Sequence, residues 1–263
     1  MNTNKNIHVS SIIEEGAEIG LNVKIGPFCY VGSEVVLKDE VELKSNVTVV
    51  GKTTIDMETV VFPFATIGEI PQDLKFKGEA TKLFIGKRNR IREGVTINTG
   101  TLGGGGVTRV GDDCLLMTGS HVAHDAQIGS NVVMANQAAV AGHCIIEDGV
   151  IIGGLSGVHQ FVRIGRGAII GAVTMVTNDV IPYGLVQASR GELDGLNYVG
   201  LKRSGVSRTD IMALRASYQM LKQGDGTFQE RAMKLLEETD SRYVKEVVDF
   251  ILSESDRSFL IPR

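Results

Sequence analysis

Large aliphatic residues recur along this chain with a period of six residues. The series runs from Ile7 to Ile67, returns at Ile85, and continues with a shift of one residue from Val110 to Val176. Four residues after each aliphatic, the side chain is usually small or β-branched. Short strands joined by sharp turns, each with one large and one small inward side chain, produce this pattern. The period therefore predicts a parallel β-helix in which three hexads make one coil of about 18 residues.

Glycine supports this prediction. It accounts for 32 of the 263 residues, whereas about 7 % is usual in globular proteins. Glycine does not recur at every third residue, which excludes collagen. At ten hexads glycine directly follows the aliphatic residue, where we expect corners with a positive φ. These glycines are Gly20, Gly26, Gly32, Gly68, Gly86, Gly111, Gly129, Gly153, Gly165 and Gly171.

Two interruptions and a change of pattern divide the chain. Residues 69–84 and 103–109 lack the period, so we expect two excursions from the coil, the second beginning with four glycines. Beyond Pro182 the period gives way to helical spacing, with capping residues at Ser207 and Thr227. We therefore predict a β-helix domain over residues 1–181 and a helical domain over residues 182–263. The helices would also cover the open end of the β-helix.

Composition and charge narrow the class of protein. The net charge of −4 and the low aromatic content of 5 % argue against a nucleic-acid-binding protein. There is no apolar run of about 18 residues to span a bilayer, and no apolar signal segment follows the polar N-terminus. All three cysteines take the small inward position, which predicts that they are core residues: Cys29, Cys114 and Cys144. We expect a cytoplasmic protein without a transmembrane segment or disulfide.

Histidines provide the candidate chemistry. Four of the five, His121, His124, His143 and His159, fall within 39 residues, and none takes an inward position, so all should face outward. His124 and His143 are one coil plus one residue apart, which predicts adjacent rungs on one edge. Asp125 beside His124 could fix the imidazole tautomer and stabilise an imidazolium. Such a pair suits a general base.

Several segments together resemble one enzyme family. They are His121-Val-Ala-His124-Asp125, Ala141-Gly142-His143, Gly157-Val-His159-Gln160-Phe161, the loop that contains PQDLK, and the stretch from Gly195 to Arg203. In this order they closely resemble the acyl-carrier-protein-dependent UDP-N-acetylglucosamine O-acyltransferases, which catalyse the first step of lipid A biosynthesis. The resemblance covers essentially the whole chain. It implies a left-handed coil, contrary to the usual right-handed crossover, and a homotrimer with active sites between subunits.

The resemblance also implies a reaction and a set of site residues. An R-3-hydroxyacyl chain would pass from acyl carrier protein to the 3-position of UDP-N-acetylglucosamine, with no metal and no cofactor beyond the carrier's phosphopantetheine. His124 would be the general base, Asp125 would orient it, and the N–H of Gly142 would bind the oxyanion. Sugar contacts would come from Gln72, Asp73, Lys75, His121 and His143. Nucleotide contacts would come from Gln160, Asn197 and Arg203, and His159 would lie near the pantetheine arm.

Some positions depart from the pattern of the family. Asn98-Thr99 stands where a His-Arg pair is common, Val199 replaces an acidic residue and Ser204 replaces an arginine. Ala172 takes the position that forms the floor for the acyl chain. Because alanine is small, we expect a chain longer than about ten carbons, with each buried methylene contributing about 0.8 kcal/mol.

Three alternatives stay open from the sequence. Clustered histidines on a β-helix also suit a γ-class carbonic anhydrase with zinc at a subunit interface. The acceptor could be a 3-amino analogue of the sugar nucleotide, because the same base and fold would serve. A purely structural β-helix is the third alternative, although it would leave the histidines without a purpose.

Overall fold

The structure is a computed structural model that describes residues 6–187 and 191–262. Residues 1–5, 188–190 and 263, which the predicted domain ranges include, lie outside the described residues. The first strands in chain order are β1 (Ile12–Ile13), β2 (Glu18–Ile19), β3 (Lys24–Ile25), β4 (Tyr30–Val31), β5 (Val36–Leu37), β6 (Glu42–Leu43), β7 (Thr48–Val49), β8 (Lys52–Ile55), β9 (Val60–Val61), β10 (Thr66–Glu69), β11 (Lys82–Ile85), β12 (Arg90–Ile91) and β13 (Thr96–Asn98).

A single 3-10 turn, Leu102–Gly104, separates these strands from the second series. That series comprises β14 (Val107–Val110), β15 (Leu115–Leu116), β16 (His121–Val122), β17 (Gln127–Ile128), β18 (Val133–Met134), β19 (Ala139–Val140), β20 (Ile145–Ile146), β21 (Ile151–Ile152), β22 (Gly157–Val158), β23 (Arg163–Ile164), β24 (Ile169–Ile170), β25 (Met175–Val176), β26 (Gly184–Gln187) and β27 (Glu192–Leu196).

Every third strand joins the same sheet, so the chain winds through three parallel sheets in turn. The first sheet runs from β1 through β4 and β7 to β25, and the second runs from β2 to β23. The third runs from β3 to β24 and continues into β26. Where no loop intervenes, partners are one coil of 18 residues apart, as for Ile12 and Tyr30. The prediction of a parallel β-helix is confirmed.

The interior is filled as the hexads predict. The large aliphatic position is almost fully buried from Ile25 to Val176, and the small position is buried from Val23 onwards. Ile7, Ile13 and Ile19 of the first coil are only partly buried, because within residues 6–187 no other coil packs on their outer side. All three cysteines lie in this core and are free. The β-helix is therefore held together by an aliphatic column.

The predicted role of the hexad glycines is wrong. Among the ten, only Gly68 has a positive φ. The others are mostly required because the next coil approaches closely: a Cβ on Gly111 would lie 2.6 Å from the backbone of Gly129. The left-handed corners lie two residues later and carry ordinary side chains, such as Phe28 with φ 58° and Phe64 with φ 65°.

The C-terminal region contains four helices in the described residues. They are α1 (Tyr198–Arg203), α2 (Arg208–Gln223), α3 (Phe228–Glu238) and α4 (Arg242–Leu252). The predicted caps are present, since the side chain of Ser207 accepts from the N–H of Asp210 and Thr227 forms a capping box with Glu230. The short helix α1 follows Asn197, whose side chain accepts from the N–H of Gly200. No helix in residues 6–187 and 191–262 is long and apolar enough to cross a membrane.

Strands as well as helices cover the end of the β-helix. β26 follows Pro182 and pairs in parallel with β24. β27 then pairs with β26 in the antiparallel sense. Helix α2 packs on this hairpin, where the hydroxyl of Tyr218 donates to the carbonyl of Leu193 over 2.8 Å. Residues 253–262, here named the C-terminal strap, then return to the last coil. There the N–H of Leu260 donates to the carbonyl of Asp179 over 2.9 Å.

Candidate active site

The centre of the site is a histidine–carboxylate pair at the corner after β16. Asp125 occupies the left-handed corner position, with φ 60°. Its Oδ2 atom lies 2.9 Å from Nδ1 of His124. A carboxylate can only accept from this atom, so Nδ1 carries the proton and Nε2 keeps its lone pair. The pair has the tautomer that a general base requires.

The second excursion buries this pair. Both His124 and Asp125 are only 4 % exposed, although they lie outside the aliphatic core. The N–H of Thr101 donates to Oδ1 of Asp125 over 2.8 Å, and its hydroxyl donates to Oδ2 over 2.6 Å. A Cβ on Gly104 would lie 2.1 Å from Cγ of Asp125, so the glycine run allows the loop to close over the carboxylate. His124 therefore faces outward from the coil, as the sequence predicts, and is buried because a loop covers it.

His143 lies on the next coil at the equivalent corner. Its ring centroid is 5.0 Å from that of His124, and its Nδ1 is 3.7 Å from Oδ2 of Asp125. On its other side the ring of Phe161, one coil further on, stacks at 4.5 Å. Burial lowers the pKa of His143, although the nearby charge of Asp125 acts in the opposite direction. His143 is therefore a neutral group at pH 7.

Gly142 brings its backbone against the His124 ring. A Cβ at this position would lie 2.4 Å from Cε1 and 2.7 Å from Nε2 of His124. Among the described residues, its carbonyl accepts from Phe161, whereas its N–H has no acceptor. A free N–H on a residue this close to the imidazole ring could bind an oxyanion that forms there.

His121 lies on β16, half-buried beside this cluster. Its Nδ1 is 2.7 Å from the hydroxyl of Thr96 on the preceding coil. Burial lowers its pKa, and the neighbouring His124 adds to this effect. His121 is thus held neutral and in a fixed orientation on the same edge as His124.

The first excursion lies over the same edge. Asp73 is half-buried, Gln72 and Lys75 are exposed, and the charges of Asp73 and Lys75 are close enough to affect the pKa of His143. Asn98 holds the base of this loop, because its side-chain amide donates to the carbonyl of Ile70 over 3.0 Å. The loop therefore brings polar groups to the histidines.

Asn197 and Arg203 lie elsewhere, at the junction of α1 with the third sheet. They line a cleft of about 840 Å³ together with Val199 and Ser204. The amide of Asn197 donates to the carbonyl of Gly167 over 3.0 Å, besides capping α1. In a single chain this amide has a structural role, and the structure does not bring either residue to His124.

His159 and Gln160 lie at the corner after β22, and both are exposed. The C-terminal strap reaches them: Nη2 of Arg257 lies 3.1 Å from Nδ1 of His159 and donates to the carbonyl of Gln160 over 3.1 Å. Ala172 lies at a different corner, after β24, where it is exposed beside Val173. In the described part of a single chain, the position of Ala172 is therefore open to solvent and not enclosed.

The residues of the site also form a potential metal cluster. One ligand atom from each of His124, Asp125 and His143 lies within 4.8 Å of the others. However, Thr101 occupies both oxygens of Asp125, and Nδ1 of His124 is turned to the same carboxylate. Since the carboxylate already accepts three hydrogen bonds, the donor set suits an oriented imidazole better than zinc.

The cysteines are poor candidates for nucleophiles. Burial raises the pKa of Cys114 to about 11 and that of Cys144 to about 12. Both thiols donate to backbone carbonyls of the next coil, over 3.2 Å to Gly129 and 3.0 Å to His159. At neutral pH they are protonated core side chains, as the sequence predicts.

The fold and this corner define a class, the hexapeptide-repeat transferases. Residues 108–142 match the family described as bacterial transferase hexapeptide (six repeats). Residues 179–260 match the second domain of UDP N-acetylglucosamine O-acyltransferase.

Comparison with known proteins identifies the family within this class. The chain is 68 % identical over 203 residues, 77 % of each protein, to the acyl-[acyl-carrier-protein]–UDP-N-acetylglucosamine O-acyltransferase of Paracoccus denitrificans. It is 47 % identical over 257 residues to that of Rhizobium johnstonii, which covers 97 % of this chain and 94 % of the relative. The chain belongs to the acyl-[acyl-carrier-protein]–UDP-N-acetylglucosamine O-acyltransferase family.

Solved structures agree with this assignment. LpxA from Acinetobacter baumannii superimposes with a TM-score of 0.94 at 35 % identity, over 98 % of this chain and 100 % of that one. A UDP-N-acetylglucosamine acyltransferase from Campylobacter jejuni gives 0.92 at 36 % identity with the same coverage. The predicted fold, a left-handed β-helix with C-terminal helices, is confirmed.

Sequence reasoning missed two residues that shape the site. Thr101, which holds Asp125, lies just before the glycine run. Its position as a polar residue beside a glycine-rich segment is the one feature of the sequence that could have indicated this contact. Arg257 lies 98 residues from His159 along the chain, and no local pattern marks it.

Proposed function

We propose that this protein transfers an R-3-hydroxyacyl chain from acyl carrier protein to the 3-hydroxyl of UDP-N-acetylglucosamine, the first step of lipid A biosynthesis. The observation that carries the proposal is the buried Asp125–His124 pair, with the backbone of Gly142 packed against the imidazole ring. The family assignment supports the same reaction.

In this mechanism Nε2 of His124 takes the proton of the sugar 3-hydroxyl as its oxygen attacks the thioester carbonyl carbon. Asp125 stabilises the imidazolium that results. The N–H of Gly142 donates to the oxyanion of the tetrahedral intermediate, a contribution of about 10²–10³ in rate. The intermediate then expels the pantetheine sulfur, which receives the proton from His124. An ester replaces the thioester.

Substrate contacts complete the proposal. The loop residues Gln72, Asp73 and Lys75, with His121 and His143, would contact the sugar. Gln160, Asn197 and Arg203 would contact the nucleotide, and Ala172 would limit the acyl chain. Because Asn197 and Arg203 lie apart from His124 in a single chain, we infer that the enzyme works as a homotrimer, with sites completed between subunits. We place the enzyme in the cytoplasm.

The test is a product analysis. The purified protein is incubated with 3-hydroxyacyl carrier proteins and UDP-N-acetylglucosamine or its 3-amino analogue, and the products are identified by mass. An O-acylated sugar nucleotide, formed equally well after treatment with a chelator, supports the proposal. Transfer to the 3-amino analogue alone would show that the acceptor is an amine and not the 3-hydroxyl. Activity that is lost after the chelator and restored by zinc would argue for a metal mechanism. His124→Ala should abolish transfer without unfolding the protein.

A further inference from the structure

The C-terminal strap fixes an arginine beside the candidate site. The main chain of the strap is bound to the last coil through Asp179, whose N–H donates to the carbonyl of Ser258 over 3.0 Å and whose carbonyl accepts from Leu260. The buried carboxylate of Asp179 accepts from Nε of Arg163 over 2.8 Å. Nη1 of Arg163 in turn donates to the carbonyl of Glu254 over 2.9 Å. These bonds hold the strap in place without using the side chain of Arg257.

The side chain of Arg257 is directed at the corner after β22. Its Nη2 atom lies 3.1 Å from Nδ1 of His159 and 3.1 Å from the carbonyl oxygen of Gln160. In the described ranges, 6–187 and 191–262, no carboxylate forms an ion pair with Arg257. The guanidinium is therefore engaged by this corner and not by a structural salt bridge.

This contact determines which nitrogen of His159 carries the proton. A guanidinium has no lone pair and can only donate, so Nδ1 must accept. Nδ1 also lies 3.2 Å from the carbonyl of Gln160, and a proton on Nδ1 could reach that oxygen instead. Such a proton would face the cationic Nη2, which already donates to the same carbonyl. The arrangement with the lone pair on Nδ1 satisfies all three groups.

We propose that Arg257 is a positioning residue for His159: it holds the imidazole with its only proton on Nε2, so that the exposed ring offers a donor to an acceptor oxygen of the acyl donor. The use of this donor rests on the proposed function, whereas the tautomer does not. Arg257 acts through His159 and touches no reacting atom.

The tautomer is tested directly by ¹⁵N NMR of histidine-labelled protein, with the signals of His159 assigned from the His159→Gln variant. We expect an unprotonated Nδ1 and a protonated Nε2 at neutral pH, and a mixture of tautomers in Arg257→Ala. Arg88→Ala is the matched control, because it removes an exposed arginine that pairs with Asp113 at another corner. If Nδ1 is protonated in the unaltered protein, or if Arg257→Ala leaves the tautomer unchanged, the proposal is wrong.

The consequence for catalysis is tested by a double-mutant cycle. Arg257→Ala should raise KM for the acyl donor about tenfold, the size expected for one lost hydrogen bond, and leave KM for the sugar nucleotide unchanged. The effect should disappear in the His159→Gln background, where the amide donates without help from Arg257. An undiminished effect in that background would show that Arg257 acts independently of His159.

Folding is controlled in two ways. Thermal unfolding of Arg257→Ala should match that of the unaltered chain, because Asp179 holds the strap. If this variant unfolds, Arg257→Gln serves in its place, since it keeps a donor near Nδ1, and we then expect the Nε2-protonated tautomer to persist. A protein that transfers no acyl chain would refute the proposed function, but the NMR result would still decide whether Arg257 sets the tautomer.

Discussion

Gly142 lies so close to His124 that a Cβ on the glycine would come within 2.4 Å of Cε1 of the imidazole. The two residues belong to neighbouring coils, and the contact places the backbone of Gly142 against the imidazole ring. The geometry of this base therefore depends on a glycine one coil away as well as on Asp125.

Gly142→Ala tests this dependence. Alanine retains the N–H that would bind the oxyanion, so any loss of activity would result from displacement of the His124 ring. We expect kcat to fall about 10²-fold or more, because misplaced catalytic groups are that costly. Steady-state kinetics measure the effect. Gly32→Ala is a suitable control, since the nearest atom to its Cβ would be 3.5 Å away, an ordinary van der Waals contact. Unchanged kcat in Gly142→Ala would contradict the model of the base.

Asp125→Asn removes the charge and keeps the shape of the side chain. The amide cannot accept from Thr101 and His124 as the carboxylate does, so the tautomer of His124 should change. Comparable substitutions in other histidine–aspartate pairs reduce kcat by about 10⁴, and we expect a loss of about 10³–10⁴ here. Circular dichroism should show an intact fold. Activity within tenfold of the unaltered protein would remove Asp125 from this role.

Stability should depend on pH through His121. Its pKa is lowered by burial in the folded state, whereas the unfolded value is about 6.5. As pH falls through about 6.5, the unfolded chain binds a proton that the folded chain does not yet bind, so folding loses stability until the lowered pKa is reached. Urea unfolding at pH values on both sides of this window measures the effect. The loss on acidification should be smaller in His121→Gln, and an equal loss would contradict the prediction.

Acyl-chain length should depend on Ala172. Assays with donors of graded length should show a preference for chains longer than about ten carbons, because each further buried methylene contributes about 0.8 kcal/mol. Ala172→Met should shift the preference to shorter chains by raising the floor of the site. A preference for the ten-carbon donor in the unaltered protein would refute this prediction.

A basic surface on the helices provides a prediction about the carrier protein. Lys202, Arg208 and Arg215 line a cleft of about 710 Å³ together with Tyr198 and Met212. Charge reversal at Arg208 and Arg215 should raise the apparent KM for acyl carrier protein several-fold at low salt, and added salt should reduce the difference. Reversal at Lys38, on the β-helix, is the control. An unchanged KM would place the docking surface elsewhere.

The sequence predicts those parts of the molecule that repeat. Inward positions, coil length and the proximity of His124 to His143 follow from a one-dimensional period, because each coil stacks on the previous one. The role of Gly111 and its equivalents could not be predicted from the sequence, since a close approach between coils selects glycine just as a positive φ does. The contacts of Thr101 with Asp125 and of Arg257 with His159 could not be predicted either. They join residues 24 and 98 positions apart, which no period relates.

The left-handed corners at Asp125, His143 and Phe161 occupy the same position in three successive coils, 18 residues apart. Their side chains project from the aliphatic column without contributing to it, so one of these groups can be exchanged while the column stays intact. In such a molecule the residues that stabilise the fold are different from the residues that carry the chemistry. Related chains could therefore change chemistry by altering a few corners and covering loops, with the order of their sheets unchanged.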